Sequence, residues 1–220
     1  ENYQFMSDGT EASRLIASGL IGEVFMVRVH ELWRIGPWPG SWWFQRDAAG
    51  GGNLMSLGTH LVRTLRALAG GQAEQVFALF SDRVSPELYL EGEDTSLLAV
   101  RFDNGVIGNL VTSWATRNPG PSPRFAVYGT DGSIISDGND TLLVYSRGIE
   151  GVQPTEAEMR IDLARHPNRD AFAAECREFV RWVQTGGDSP IKGEEGRKDL
   201  EIVEAAYRSA SSGEAVRLPL

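Results

Sequence analysis

The chain has 220 residues, enough for one large domain or a domain with a small appendage, and its 41% hydrophobic and 23% charged content is that of an ordinary globular protein. A net charge of -9 with no basic stripe argues against nucleic acid or an anionic membrane as partner, and no apolar run is long enough to span a bilayer. One cysteine and three scattered histidines exclude a disulfide framework and argue against a metal site. In chain order, Glu1 to Phe5 reads as the end of a strand from something larger, because Glu1 is not an initiator methionine. No signal peptide is visible, so the expected localisation is cytoplasmic. Ser7 or Asp8 is expected to cap a first helix that Gly19 ends, with Glu11 in capping-box spacing from Asp8. Residues 23–32 read as a strand with little exposure. A long loop, 33–52, follows, with four tryptophans that argue for order.

Gly50-Gly51-Gly52 then runs into an amphipathic helix. At 100° per residue Leu54, Leu57, Leu61, Leu65 and Leu68 share one flank, while Asn53, Ser56, His60, Arg63 and Thr64 share another. His60 therefore faces water or a cleft rather than the core. Strands are expected at 75–81, 94–102, 106–114, 124–129, 133–137 and 141–146. Asp103-Asn104-Gly105 is a strong hairpin signal, and Asp131-Gly132 and Gly138-Asn139-Asp140 repeat it. The chain loosens through 147–168. Helices at 170–185 and 194–212 follow, the second with acidic residues in its first turn and Gly213 at its end, and Val216-Arg217-Leu218 can add a last short strand. Cys176 lies at helical spacing with Phe172, Phe179, Val180 and Val183, which reads as a buried core thiol.

Grouped strands flanked by helices indicate an α+β domain with a large, mostly antiparallel open sheet and helices on one face. Several strands are apolar at both parities, whereas a sheet with one wet face alternates cleanly. The other face is therefore expected to pack on another subunit, giving a homo-oligomer, dimer or tetramer. In the tryptophan loop, Trp33, Trp38, Trp42 and Trp43 can stack on sugar rings or form a small satellite core. Arg46 can bind a hydroxyl or carboxylate in bidentate fashion. Trp43, Arg46 and Asn53 are the substrate-binding candidates. His30, within a strand, is expected to hydrogen-bond locally, and His166 to face water. Asn139-Asp140-Thr141 fits a glycosylation acceptor but reads most simply as a turn.

Four segments in order resemble the C-terminal half of the glucose–fructose oxidoreductase, inositol dehydrogenase and rhizopine-catabolism (Gfo/Idh/MocA) family. They are Leu15 to Val24 with its Ile-Gly-Glu, Gly50-Gly51-Gly52 through Gly58-Thr59-His60, Tyr128-Gly129-Thr130-Asp131-Gly132-Ser133, and the run from Gly193 to Val216. The resemblance implies an NAD(P)-dependent oxidoreductase acting by hydride transfer on a sugar, cyclitol or related polyol. NAD or NADP would be bound mainly by an N-terminal Rossmann domain, of which residues 1–6 are the end. Residues 7–220 would then be the substrate-binding and oligomerisation domain, inactive alone. It also implies that His60 is the acid/base, that Ser56 orients it, and that Gly51 and Gly52 lie near the nicotinamide. This sequence has neither a Gly-x-Gly-x-x-Gly turn after a strand nor the family's Glu-Lys-Pro. Ser56 stands where the family commonly has Asp, which favours either altered chemistry or an acid reaching His60 from elsewhere. The alternative reading is a non-catalytic binding or assembly domain that keeps the fold.

Overall fold

Among the described residues nine strands form one open sheet, in the order β8-β7-β6-β5-β1-β4-β3-β2-β9. The structure, a computed structural model, describes residues 1–120, 122–138, 140–147, 158–187, 189 and 192–220. The chain runs through α1 (Ser7–Ala17), β1 (Val24–Leu32), the short α2 (Arg46–Ala49), α3 (Thr59–Ala69) and β2 (Ala73–Ser81). The short α4 (Ser85–Leu88), β3 (Thr95–Phe102), β4 (Ile107–Ser113), β5 (Phe125–Gly129) and β6 (Gly132–Ser136) follow. It ends with β7 (Thr141–Ser146), β8 (Glu158–Asp162), α5 (Ala171–Thr185), α6 (Gly193–Ser212) and β9 (Val216–Arg217). Every strand pair is antiparallel except β1 with β4, which run parallel at the centre.

One sheet face carries the core. Val27 and Val29 of β1, Val76 and Ala78 of β2, Leu98 and Val100 of β3, Leu110 of β4 and Val127 of β5 point inward. They meet Leu61, Val62, Leu65 and Leu68 of α3 and Ile202, Val203, Ala205 and Ala206 of α6. The other face is left bare among the described residues. Register puts Leu79, Leu97 and Val111 in one row across β2, β3 and β4, and Gln75, Arg101, Ile107 and Met26 in another. Leu79, Leu97 and Ile107 are 56%, 39% and 50% exposed, large values for leucine and isoleucine in mid-strand.

Several expectations change. Asn2–Phe5 is a 3₁₀ turn rather than a strand end, because the Glu1 carboxylate accepts from the Tyr3 N–H and Phe5 is buried. α1 has no side-chain cap. Asp8 instead turns inward to Arg124 of the β5 edge and accepts from Ser136 Oγ at 2.6 Å, while Glu11 pairs with Arg14. The 147–168 stretch contains β8, whose Met159 and Ile161 alternate with Glu158, Arg160 and Asp162 and pair with β7. Cys176 is exposed, as are Phe172, Phe179, Val180 and Val183. The reason is that α5 packs on the Asn2–Phe5 turn through its small side chains, Ala171 and Ala174 against Phe5, and turns its large apolar stripe outward. His30 bonds Ser122, as a local role requires. His166 Nδ1 accepts from the Asn168 N–H, so it shapes its own turn rather than simply facing water. Asn139 lies outside the described residues. No helix among them is long and apolar enough to cross a membrane.

Candidate active site

Residues 50–60 owe their path to close packing. Gly50, at φ 84°, ends α2 in the left-handed region that glycine tolerates. At Gly52 an added Cβ would lie 2.2 Å from the Glu93 carbonyl oxygen and 2.5 Å from its nitrogen, so only glycine fits beside the loop that precedes β3. Gly51 is pressed in the same way against Tyr207. The buried Glu93 carboxylate accepts from the N–H groups of Gly52 (3.1 Å) and Leu54 (2.8 Å) and from the Tyr207 hydroxyl (2.8 Å). It thereby satisfies amides that open the helix and places a negative charge where the helix dipole favours one. Leu54–Gly58 then forms a π-helical turn before α3 begins at Thr59, an irregularity that recurs at functional sites.

The π turn alters the expected neighbours of His60. Ser56 would stand one turn before it in a continuous α-helix, but the looser winding moves it round, and Ser56 makes no hydrogen bond to the imidazole. The partner is Glu1: His60 Nδ1 lies 2.9 Å from both carboxylate oxygens. Tyr3 stacks on the ring at 4.7 Å and 24°. The Tyr3 hydroxyl donates to Glu31 of β1 at 3.1 Å, and the Arg124 guanidinium sits 5.6 Å from the Tyr3 ring centroid. Burial pushes the Glu1 carboxyl up, but the bond to His60 and its charge more than offset this and hold it below its ordinary range. Burial, together with Glu31, pushes the Tyr3 phenol up, so it stays protonated.

His60 and Ser56 line a cleft of about 680 Å³ with Tyr3, Trp33, Trp43, Trp114 and Phe172, within the size range of small-molecule sites. Its walls combine aromatic side chains with Met6, Ile35, Met55 and Leu57. Behind them Phe44, Leu88, Leu90 and Trp114 form a separate small core, which Trp38 and Trp43 of the loop meet through edge contacts to Phe44 and Trp114 while staying partly exposed themselves. The Trp114 indole N–H is buried with no hydrogen-bond partner.

The structure thus brings together His60, Ser56 and Trp43. Asn53 is fully buried, its side-chain oxygen and nitrogen without partners, and does not line the cleft. Arg46 lines a different cleft, of about 480 Å³, with Phe80, Glu91 and Tyr207. Gly51 and Gly52 lie beneath the surface against Tyr207 and Glu93. Arg63, on the polar flank in sequence, is buried with Arg66 against Asp199 of α6, at 2.7 and 2.5 Å. Among the described residues no group of His, Cys, Asp and Glu could hold a metal ion. Sequence reasoning missed Glu1, Tyr3, Glu93 and Tyr207 as parts of the site's framework. Their partners lie 28 to 155 positions away, and no local pattern signals such pairings.

Residues 10–135 match the description "GFO/IDH/MocA C-terminal domain". Among sequence relatives, the chain is 27% identical over 169 residues to the myo-inositol 2-dehydrogenase of Thermotoga maritima, covering 76% of this chain and 49% of that enzyme. It is 26% identical over 204 residues to the 1,5-anhydro-D-fructose reductase of Ensifer adhaerens, covering 92% and 58%. Among solved structures, a levoglucosan dehydrogenase in complex with NADH superposes with a TM-score of 0.88 at 22% identity, over 99% of this chain and 64% of that one, a likeness of fold. The aldose-aldose oxidoreductase of Caulobacter crescentus, complexed with glycerol, gives 0.82 at 27% identity over 99% and 62%. The chain spans about half to three fifths of these relatives' length. By the span of the domain match and the shared architecture, the chain belongs to the GFO/IDH/MocA family, as its C-terminal domain.

Proposed function

We propose that this chain is the substrate-binding and oligomerisation part of an NAD(P)-dependent oxidoreductase acting on a sugar, cyclitol or related polyol, with His60 as the acid/base. The observation that carries this reading is the imidazole at the wall of an aromatic cleft, tied by Nδ1 to a carboxylate. A nicotinamide cofactor fits this chain at its reactive end only. The cleft offers aromatic side chains, while no Gly-x-Gly-x-x-Gly turn is present to cradle its phosphates. When bound, the cofactor supplies the hydride acceptor or donor. His60 takes the hydroxyl proton as the carbon is oxidised, or returns it on reduction, the acid/base chemistry an imidazole supplies. Ser56, on the same wall, offers the substrate a hydroxyl. Trp33 and Trp43 cover the apolar faces of a ring and keep water from the reacting carbon. Gly51 and Gly52 serve by letting the backbone close on Glu93 and Tyr207, which sets the helix that carries His60.

The bare sheet face supports assembly with a second copy through Leu79, Leu97, Val111 and Ile107. The test of the whole reading uses the full-length encoded protein with NAD(H) and NADP(H) against a panel of polyols and sugars. Turnover is expected, and His60→Asn should lower kcat by roughly 10²- to 10⁴-fold, the usual worth of a positioned proton-transfer group. Turnover that His60→Asn leaves intact would refute the assignment. A second reading, a non-catalytic binding or assembly domain, draws on Ser56 in place of the family's Asp. It predicts binding of a polyol by the chain with no turnover in the full-length protein.

A further inference from the structure

We infer that Glu1 is a positioning residue for His60: its carboxylate fixes the neutral imidazole as the Nδ1–H tautomer and leaves Nε2 as the proton acceptor. This rests on the reading of His60 as acid/base and assigns the group that makes the ring competent for it. A carboxylate can only accept, so the 2.9 Å contacts from Nδ1 to both Glu1 oxygens require the proton to sit on Nδ1. No described residue bonds Nε2. The other candidates for the Nδ1 position are committed elsewhere or out of reach. Ser56 makes no hydrogen bond to the ring, Arg63 is held by Asp199, and Thr64 Oγ1 donates to the His60 carbonyl.

The clamp is a single 3₁₀ turn gripping the imidazole in two directions. Glu1 holds the ring edge-on, and Tyr3, two residues later, holds it face-on. Glu1 Oε1 also accepts from the Tyr3 N–H at 3.1 Å, so the residue that sets the tautomer also fixes the stacking partner. Glu31 anchors the Tyr3 hydroxyl to the sheet. Which imidazole nitrogen carries the proton is decided by the hydrogen bond made by the other side of the ring. With an Nε2–H the ring could donate to a substrate oxygen but not take a hydroxyl proton. The carboxylate that the family commonly supplies four positions before the histidine is here supplied by a residue 59 positions away in sequence.

The test is a long-range ¹H–¹⁵N correlation spectrum of the ¹⁵N-labelled 220-residue chain, at a pH where His60 is neutral, with His60→Gln to assign the ring signals. The wild type is expected to show Nδ1–H in an excess of roughly tenfold or more, the equilibrium weight of one charge-assisted hydrogen bond. Glu1→Ala should remove that excess while leaving the remaining backbone amide spectrum in place. A wild-type ring protonated mainly on Nε2 would overturn the inference without any variant. So would a Glu1→Ala chain whose tautomer matches the wild type. Failure here is distinct from failure of the functional reading. The latter is judged by turnover of full-length His60→Asn, which the tautomer measurement does not involve.

Discussion

Removing the Glu93 carboxylate should cost far more stability than its distance from the cleft suggests. Glu93→Ala deletes the acceptor of three hydrogen bonds, from Leu54 N–H, Gly52 N–H and the Tyr207 hydroxyl. A bond to a charged group contributes about 1.5–3 kcal/mol, and a buried donor left unpaired costs about 1–3 kcal/mol. The three share one carboxylate and do not add, so a loss of about 3–5 kcal/mol is expected, a large share of the ~5–15 kcal/mol that holds a typical domain. Tyr207→Phe removes one of the three and leaves both backbone amides satisfied, so it should cost about 1–2 kcal/mol. Urea unfolding followed by tryptophan fluorescence reads both. With a slope of about 2–3 kcal/mol per molar, Glu93→Ala should lower the midpoint by more than 1 M, roughly. The double variant should lose less than the sum, because after Glu93→Ala the Tyr207 hydroxyl has lost its main acceptor. Amide exchange at Gly52 and Leu54 should rise before global unfolding. A loss below about 1 kcal/mol, or strict additivity with Tyr207→Phe, would refute the claim that this carboxylate organises the helix start.

Three further outcomes follow from named contacts. Gly52→Ala places a methyl 2.2 Å from the Glu93 carbonyl oxygen, a backbone atom that cannot swing away, so thermal unfolding should show a loss of about 1–3 kcal/mol even though alanine favours helices. Asp8 is buried, which raises its carboxyl, but the Arg124 charge and hydrogen bond, with Ser136, outweigh this and hold it below its ordinary value of 3.8. Its contribution is therefore full above the unfolded value and is lost as pH falls through the folded one. Urea midpoints of the wild type should drop more steeply than those of Asp8→Asn as pH is lowered through 4, and parallel curves would discard the pair as a source of acid sensitivity. Leu79→Lys with Leu97→Glu, neighbours across β2 and β3, should shift sedimentation of the full-length protein toward monomer with an unchanged far-UV spectrum. An unaltered assembly would remove this sheet face as the subunit contact.

What could be read from the sequence was whatever repeats at short range. The leucines of α3, the Asp103-Asn104-Gly105 hairpin between β3 and β4, and the acidic start and Gly213 end of α6 follow periodicity and turn chemistry. They sit where those rules put them. β8 was legible too, since Met159 and Ile161 alternate with charged residues, but three surrounding charges masked a strand with only two inward side chains. α5 shows the limit of pattern: its apolar stripe satisfies every rule for a core helix, yet it faces away from this chain, because periodicity identifies a face without identifying its partner.

The candidate site shows the same limit. The polar flank that carries His60 is a local property of an amphipathic helix. The sequence points to Ser56, one helical turn away, as its partner, because helical proximity is the only proximity a sequence displays. The π turn at Leu54–Gly58 cancels that inference by breaking the four-residue register. Glu1 lies 59 positions from His60, and Glu93, which sets the helix start, lies 39 from Leu54. Both carboxylates come from segments with no periodic signature, one the cap of a 3₁₀ turn and the other a loop before β3. A helix that presents a proton-transfer group is thus held at its start and along its ring by two acids that only the folded chain brings near. The chemistry of His60 accordingly depends on tertiary closure as much as on the residue itself.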